Sequence, residues 1–115
     1  MKVLIVEPQK MPYEKEIVGD LKSLQTEVGG YIQALAPFED PELVLICNDE
    51  GKLLQLPYNR LLLDENDFAY DIIAGTFLLC RAPLGSEDFE GLTDKQIKFG
   101  KERFRRIELF SIGTA

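Results

Sequence analysis

The alternation of apolar and polar positions along the chain predicts short strands joined by tight turns. Apolar runs bounded by proline, glycine and acidic clusters are typical of strands. The turn Asp49-Glu50-Gly51 predicts a hairpin, and Gly75 indicates a bulge or a close backbone approach inside the last run. Strands are therefore expected at residues 2–7, 13–18, 31–36, 43–48, 52–56 and 70–80.

Helical periodicity occurs in two segments. Asp20 can cap the first, LKSLQTEV at residues 21–28, and Gly29 and Gly30 can end it. Thr93 opens the second, over residues 93–107, as a capping box with Gln96. The expected apolar faces consist of Leu21, Leu24 and Val28 in the first helix and of Ile97, Phe104 and Ile107 in the second.

The resulting order, roughly β-β-α-β-β-β-α, predicts an α+β domain. The connections are short, which suits antiparallel pairing rather than βαβ crossovers. We therefore expect a small mixed or antiparallel β-sheet with the helices packed on one face. A chain of 115 residues has volume for one core, so residues 1–115 are expected to form a single domain. The predicted core residues are Ile5, Leu24, Val44, Ile46, Ile72, Phe77 and Leu79.

Charge is divided unevenly along the chain, whose formal net charge is −7. Residues 1–93 hold 7 basic and 17 acidic side chains, a net −10, whereas residues 94–115 hold 6 basic and 3 acidic ones, a net +3. An acidic body repels nucleic acid phosphates, so no direct nucleic acid partner is expected. The basic segment is interpreted as a solvated helix face.

The residue types present exclude several chemistries. The chain has no histidine, so Ser-His-Asp, Cys-His and histidine-based zinc sites cannot be built. It contains neither a GxxxxGKS-type phosphate loop nor a GxGxxG dinucleotide fingerprint. The acidic run at residues 64–67 lacks the glycine and the distal glutamate of a calcium loop. No catalytic residue, metal or cofactor is therefore predicted, and the protein is not expected to be an enzyme.

Hydropathy and cysteine placement indicate a cytoplasmic protein without a membrane partner. No apolar stretch approaches the roughly 20 residues that cross a bilayer, and the amino terminus is charged too early for a signal peptide. Cys47 and Cys80 each lie at the end of an apolar run, where free cysteine behaves as a small hydrophobe. Both are expected to be buried, reduced thiols.

Four blocks of sequence carry a resemblance to a known family. They are MKVLIVEPQKMPYEKEI, GDLKSLQTEVGGYIQAL, ICNDEGKLLQLPYNRLL and YDIIAGTFLLC, which span roughly residues 1–80. Together they resemble the family called domain of unknown function 3846, and the basic helix at residues 93–107 is expected outside its distinctive part. The resemblance implies an accessory protein of a phage, plasmid or other mobile element, in the host cell cytoplasm if phage-encoded. It implies no activity, catalytic residue or cofactor.

Arg60 stands out because a charged side chain precedes the apolar run at residues 61–63. One interpretation is an internal ion pair with Asp71 or Glu50, since a half-buried charge without a partner is costly. The other is a ligand clamp in which the guanidinium takes a phosphate or carboxylate bidentately. In that case asparagine amides would contact polar ligand edges and a tyrosine would stack on a base. The candidate ligand-binding residues are Arg60, Asn59, Tyr58, Asn48, Tyr31 and Asp71.

Two classes of function are consistent with these features. The first is a mobile-element accessory protein, expected as a homo-oligomer, that counteracts host immunity by sequestering a small anionic or nucleotide ligand. The second is an acidic inhibitor that imitates nucleic acid and binds a host defence protein, of the anti-restriction or anti-CRISPR type. An enzyme acting on a nucleotide is least favoured, because no set of catalytic groups is visible.

Overall fold

The computed structural model describes residues 1–108 and places seven strands and two helices in them. The predicted α+β class is confirmed, and the order of elements broadly matches the expected one. In chain order the elements are β1 (Lys2–Val6), β2 (Tyr13–Glu16), α1 (Leu21–Val28), β3 (Ile32–Leu35), β4 (Leu43–Asn48), β5 (Tyr58–Leu63), β6 (Ala69–Ala74), β7 (Phe77–Arg81) and α2 (Asp94–Arg103).

The strands form two separate antiparallel sheets. Five of them lie in the order β2-β1-β7-β4-β3, and every neighbouring pair is antiparallel. The other two, β5 and β6, pair only with each other, and we call them the ribbon. All of β4 and most of β7 are buried, because both faces of the larger sheet are covered. This double burial explains why both strands read as continuous apolar runs.

The two faces of the larger sheet carry different elements. Leu24 and Val28 of α1 pack on one face with Ile5 and Ile46. The other face is covered by α2 and the ribbon, through Ile97, Phe104, Leu62 and Ile73. The expectation that both helices pack on one face is therefore wrong. The predicted core is confirmed at Ile5, Leu24, Val44, Ile46, Phe77 and Leu79, whereas Ile72 is only half-buried.

Both helix starts follow their predicted caps. The Asp20 carboxylate accepts a hydrogen bond from the Ser23 amide at 2.9 Å, and Thr93 forms the expected capping box with Gln96. The predicted end of the second helix agrees less well with the structure, because α2 ends at Arg103 and not at residue 107. Leu21 and Ile107 are exposed, so neither contributes to the predicted apolar faces. A glycine lets α2 approach the sheet, since a Cβ at Gly100 would lie 2.7 Å from a Leu4 methyl carbon.

Two strand predictions are wrong in the middle of the chain. Residues 52–56 are not a strand, because the Leu54 and Leu56 amides turn back to the Glu50 and Gly51 carbonyls at 2.8 and 3.0 Å. The run at residues 70–80 is two strands, β6 in the ribbon and β7 in the larger sheet. The chain changes sheets at Gly75, whose φ of 86° lies in the left-handed region that favours glycine.

Replacing Gly75 by alanine should destabilise the fold at this crossing. The positive φ costs about 1 to 2 kcal/mol for a residue with a Cβ. The new methyl would also lie 2.7 Å from a Leu56 methyl carbon, and overpacking of this kind adds roughly 1 kcal/mol or more. Gly29→Ala is the control, because its φ is 79° and its Cβ would meet nothing within 4 Å. Urea unfolding should show the larger loss for Gly75→Ala, and equal losses would contradict the contact with Leu56.

Candidate functional site

Arg60 is buried in the core, with 1% of its surface exposed. Its Nε and Nη2 groups both donate to the Phe104 carbonyl, at 3.1 and 3.0 Å, and Nη2 also donates to the Lys10 carbonyl at 2.7 Å. Nη1 donates to the Asn59 carbonyl at 3.3 Å and to the Asn59 side-chain oxygen at 2.7 Å. A guanidinium has five N–H donors, so the chain itself uses all of them.

Neither interpretation of Arg60 matches this geometry. The predicted ion pair with Asp71 or Glu50 is wrong, because the acceptors are backbone carbonyls and a neutral amide, and Asp71 pairs with Lys52 at 2.5 Å. The predicted ligand clamp does not fit either, because none of the five N–H donors of Arg60 is left for a ligand. Burial lowers the pKa of Arg60, and the Glu108 carboxylate opposes that shift. Arg60 is therefore a buried cation that carbonyl dipoles solvate in place of water.

Asn59 completes the same arrangement. It is fully buried, and its amide nitrogen donates to the Val6 carbonyl at 2.8 Å and to the Gly75 carbonyl at 2.9 Å. Together, Asn59 and Arg60 connect the ribbon to the end of β1, the loop after it and the end of α2. We call this set of hydrogen bonds the Arg60 tie. Its role is structural, so neither residue belongs to the candidate ligand site.

An open cavity of about 310 Å³ lies at the carboxyl end of β4, and it contains two of the predicted residues, Asn48 and Asp71. We call it the β4-end cavity. Its floor comes from β3 and β4, one wall comes from the loop after β4, and the facing wall comes from β6. The lining residues are Gln33, Leu35, Cys47, Asn48, Asp49, Glu50, Gly51, Lys52, Leu53 and residues 71–74.

Asn48 fixes the loop that forms the near wall. Its side-chain nitrogen donates to the Val28 carbonyl at the end of α1, at 3.1 Å, and its side-chain oxygen accepts from the Glu50 amide at 2.8 Å. On the other side the loop lies directly on the ribbon, because a Cβ at Gly51 would be 2.5 Å from the Ala74 carbonyl oxygen. The wall is thus held between α1 and β6.

Tyr31 lies across the same loop, in a shallower depression of about 540 Å³ that also contains Asn48 and Glu50. Tyr31 is 69% exposed. Tyr58 is exposed at the start of β5 and is not among the residues that line either depression. The structure therefore brings Asn48, Asp71 and Tyr31 to one region, buries Asn59 and Arg60 in the core, and places Tyr58 outside the lining of both depressions.

The charge of the β4-end cavity is predominantly negative. Asp49, Glu50 and Asp71 line it, and Lys52 is the only basic side chain among its lining residues. The hydrogen bond from Lys52 holds the pKa of Asp71 below its ordinary value. Because Lys52 is already paired, an anionic ligand would meet uncompensated carboxylates, whereas a cationic side chain would be attracted.

Sequence reasoning missed Gln33, Lys52 and Leu53 as residues of this cavity. The strand predicted for residues 52–56 concealed the loop that carries two of them. The signal that could have found it is the acidic turn Asp49-Glu50-Gly51, directly after a buried strand.

Cys47 lines the cavity but is not poised for nucleophilic chemistry. Burial raises the pKa of Cys47 to about 11, and the charges of Asp49 and Asp71 act in the same direction. Cys80 is fully buried, with a pKa raised to about 12 by burial. The two free thiols lie in the core clusters on opposite faces of the sheet, so the expected buried, unpaired state is confirmed. Within residues 1–108, no group of three His, Cys, Asp or Glu side chains could hold a metal ion.

The fold and the cavity define a small α+β domain with an acidic cleft between its two sheets. The family model for a domain of unknown function, DUF3846, matches residues 1–105, and the chain belongs to this family. The match includes α2, so the expectation that the family region ends near residue 80 is wrong. No curated protein and no solved structure matches the chain. In the described residues no helix is long and apolar enough to cross a membrane.

Removing the guanidinium should destabilise the fold. Arg60→Ala is expected to lower the free energy of unfolding by about 3 to 5 kcal/mol, since it leaves a cavity and several buried carbonyls without donors. Arg60→Lys should also be destabilising, because an ammonium has three donors for the same acceptors. Arg81→Ala is the control, and its partly exposed ion pairs and its hydrogen bond to the Gly91 carbonyl should together be worth about 2 kcal/mol or less. Urea unfolding of the three variants measures the difference, and a loss at Arg60 no larger than at Arg81 would contradict the tie.

The thiols should react slowly in the native protein. A pKa of about 11 for Cys47, against an ordinary value of 9.0, lowers its thiolate fraction at pH 8 about a hundredfold, and burial restricts access further. A disulfide reagent such as DTNB should therefore modify both cysteines rapidly in denaturant and at least about a hundredfold more slowly without it. Rapid native modification of Cys47 would indicate that the cavity floor opens.

Proposed function

We propose that the protein is a non-catalytic binding protein that receives a basic protein partner at the β4-end cavity. The observation that carries this proposal is the set of three carboxylates in the cavity, with a single lysine that is already paired to one of them. Lysine or arginine side chains of a partner would neutralise Asp49 and Glu50. Charge complementarity of this kind increases the association rate and selects among partners.

Exposed apolar side chains beside the cavity support a protein partner over a small ligand. Leu53 is 78% exposed on the cavity wall, and Leu54 and Tyr31 are exposed in the depression across the loop. Protein interfaces combine an apolar centre with a polar rim, and tyrosine is frequent among the residues that dominate their energy. We call Tyr31, Leu53 and Leu54, with the carboxylates of Asp49, Glu50 and Asp71, the loop surface.

This proposal favours the acidic inhibitor among the two classes derived from the sequence. Sequestration of an anionic or nucleotide ligand stays a prediction, and the carboxylates of the cavity disfavour it. We further propose a host defence protein as the partner, in a mobile-element setting and in the cytoplasm, from the family resemblance and the acidic body. A homo-oligomeric state also stays a prediction.

Disrupting the loop surface should weaken partner binding. The immobilised protein is used to capture partners from a host lysate at low salt, and a captured protein is then purified for calorimetry. Leu53→Lys should weaken its affinity at least about tenfold, equal to about 1.4 kcal/mol, because the substitution removes an apolar side chain from the centre and adds a positive charge that repels the basic partner. Leu84→Lys is the matched control, since Leu84 is also 78% exposed but follows β7 at the opposite end of the sheet. The double variant Asp49→Asn, Glu50→Gln should reduce both affinity and its salt dependence.

A nucleotide screen tests the alternative function, sequestration of a nucleotide ligand. Thermal unfolding is followed with linear and cyclic nucleotides, none of which should raise the melting temperature. A rise with one nucleotide that Asp49→Asn, Glu50→Gln enhances, together with equal protein binding by wild type and Leu53→Lys, would replace this proposal with ligand sequestration.

A further inference from the structure

The larger sheet ends in two edge strands that differ in their protection. At one edge β2 presents Glu14, Lys15 and Glu16, and charged side chains of this kind discourage pairing with another strand. At the other edge β3 is Ile-Gln-Ala-Leu, without charge or proline. Within residues 1–108, the backbone hydrogen bonds of β3 go to β4, and no other segment covers its outer edge with such bonds.

The register of β3 identifies the backbone groups that face outward. The Asp49 amide donates to the Tyr31 carbonyl at 2.8 Å, so Tyr31 and Asp49 are a hydrogen-bonded pair of the ladder. Such pairs alternate along an antiparallel ladder. Gln33 therefore faces β4 with its backbone groups, and Ile32 and Ala34 turn theirs outward. The edge offers two donors and two acceptors to a further strand.

The outer edge of β3 adjoins the β4-end cavity. Gln33 and Leu35 point to the sheet face where they line this cavity with Asp49, Glu50 and Asp71. Side chains alternate between the two faces of a sheet, so a strand added beside β3 would direct every second side chain toward these carboxylates. Backbone pairing then supplies affinity, and the cavity selects the side chain.

We propose that β3 is a docking edge for an extended basic segment of the protein partner, which adds as a sixth strand and places a lysine or arginine in the β4-end cavity. This inference rests on the proposed function and names the way in which the partner binds. Charge decides against a second copy of the chain as the occupant. The β3 of a second copy has no basic residue, so it would leave Asp49 and Glu50 without a countercharge.

The probe is the peptide acetyl-TKVKVKT-amide, whose lysines lie on one face when it is extended. It should bind the wild-type protein in calorimetry, and the Ile32 and Ala34 amides should gain protection from hydrogen exchange. The peptide with glutamate at each lysine position should not bind. A peptide methylated on the backbone nitrogens that would pair with β3 should bind at least about tenfold more weakly, equal to about 1.4 kcal/mol.

A matched pair of proline variants tests the edge from the protein side. Ala34→Pro removes an outward N–H without removing a hydrogen bond to β4. It should lower the affinity for the peptide and for the captured partner at least about tenfold. Glu16→Pro is the control on the β2 edge, where the Ile17 amide bonds to the Met1 carbonyl and Glu16 therefore faces outward. It should leave both affinities unchanged. Circular dichroism verifies that each variant folds, and the methylated peptide tests the edge on unaltered protein.

The outcomes separate this inference from the proposed function. Loss of partner binding in Leu53→Lys, with no effect of Ala34→Pro and equal binding of the methylated peptide, would overturn the docking edge and leave the proposed function standing. A partner unaffected by all of these variants would overturn both. Sedimentation that shows a dimer of the wild-type protein, dissociated by Ala34→Pro, would assign the edge to self-pairing and contradict the inference.

Discussion

The buried guanidinium of Arg60 is the constraint on which the arrangement of the two sheets depends. Its acceptors come from the loop after β1, from Asn59 and from the end of α2, which lie 50, 1 and 44 residues from Arg60 along the chain. A cation in a dry core requires several oriented dipoles, and these segments supply them only when all are in place. The ribbon is thereby fixed over the sheet. Because β6 is the far wall of the β4-end cavity, the tie also sets the width of the cavity.

Arg60 also shows why the sequence predicted the helices and strands better than the hydrogen bonds that connect them. Caps and apolar periodicity are local, so α1, the start of α2 and the buried strands follow from a few neighbouring residues. Backbone carbonyls are present at every position, and no pattern marks the two at Lys10 and Phe104 that receive Arg60. The run at residues 70–80 is apolar in both halves, so composition alone could not assign the halves to different sheets. Gly75 was correctly identified as an irregular position, but its role as the crossing is a tertiary property.

The candidate site was predictable to a similar degree. Asn48, Asn59, Arg60 and Asp71 stood out because each is polar among apolar neighbours. That signal is the same for a polar group satisfied inside the core and for one that faces a cavity. The structure places Asn59 and Arg60 in the first group and Asp71 in the second, whereas Asn48 lines the cavity although its side chain is buried and already hydrogen-bonded. The negative charge of the cavity could not be predicted from the sequence either. It arises because the turn after β4 and the middle of β6, distant in sequence, bring their carboxylates together.

The position of Phe104 near the end of the described chain has a consequence for the synthesis of the protein. The ribosome adds Arg60 to the chain 44 residues before Phe104. At about 5 to 20 residues per second, that interval lasts roughly 2 to 9 seconds. During it the guanidinium lacks the carbonyl that takes two of its hydrogen bonds, so docking the ribbon would bury a cation without sufficient acceptors. All strands of the larger sheet are synthesised before Phe104 is added, and α1 can already cover one face. The other face, which α2 and the ribbon cover, closes only after α2 has been made.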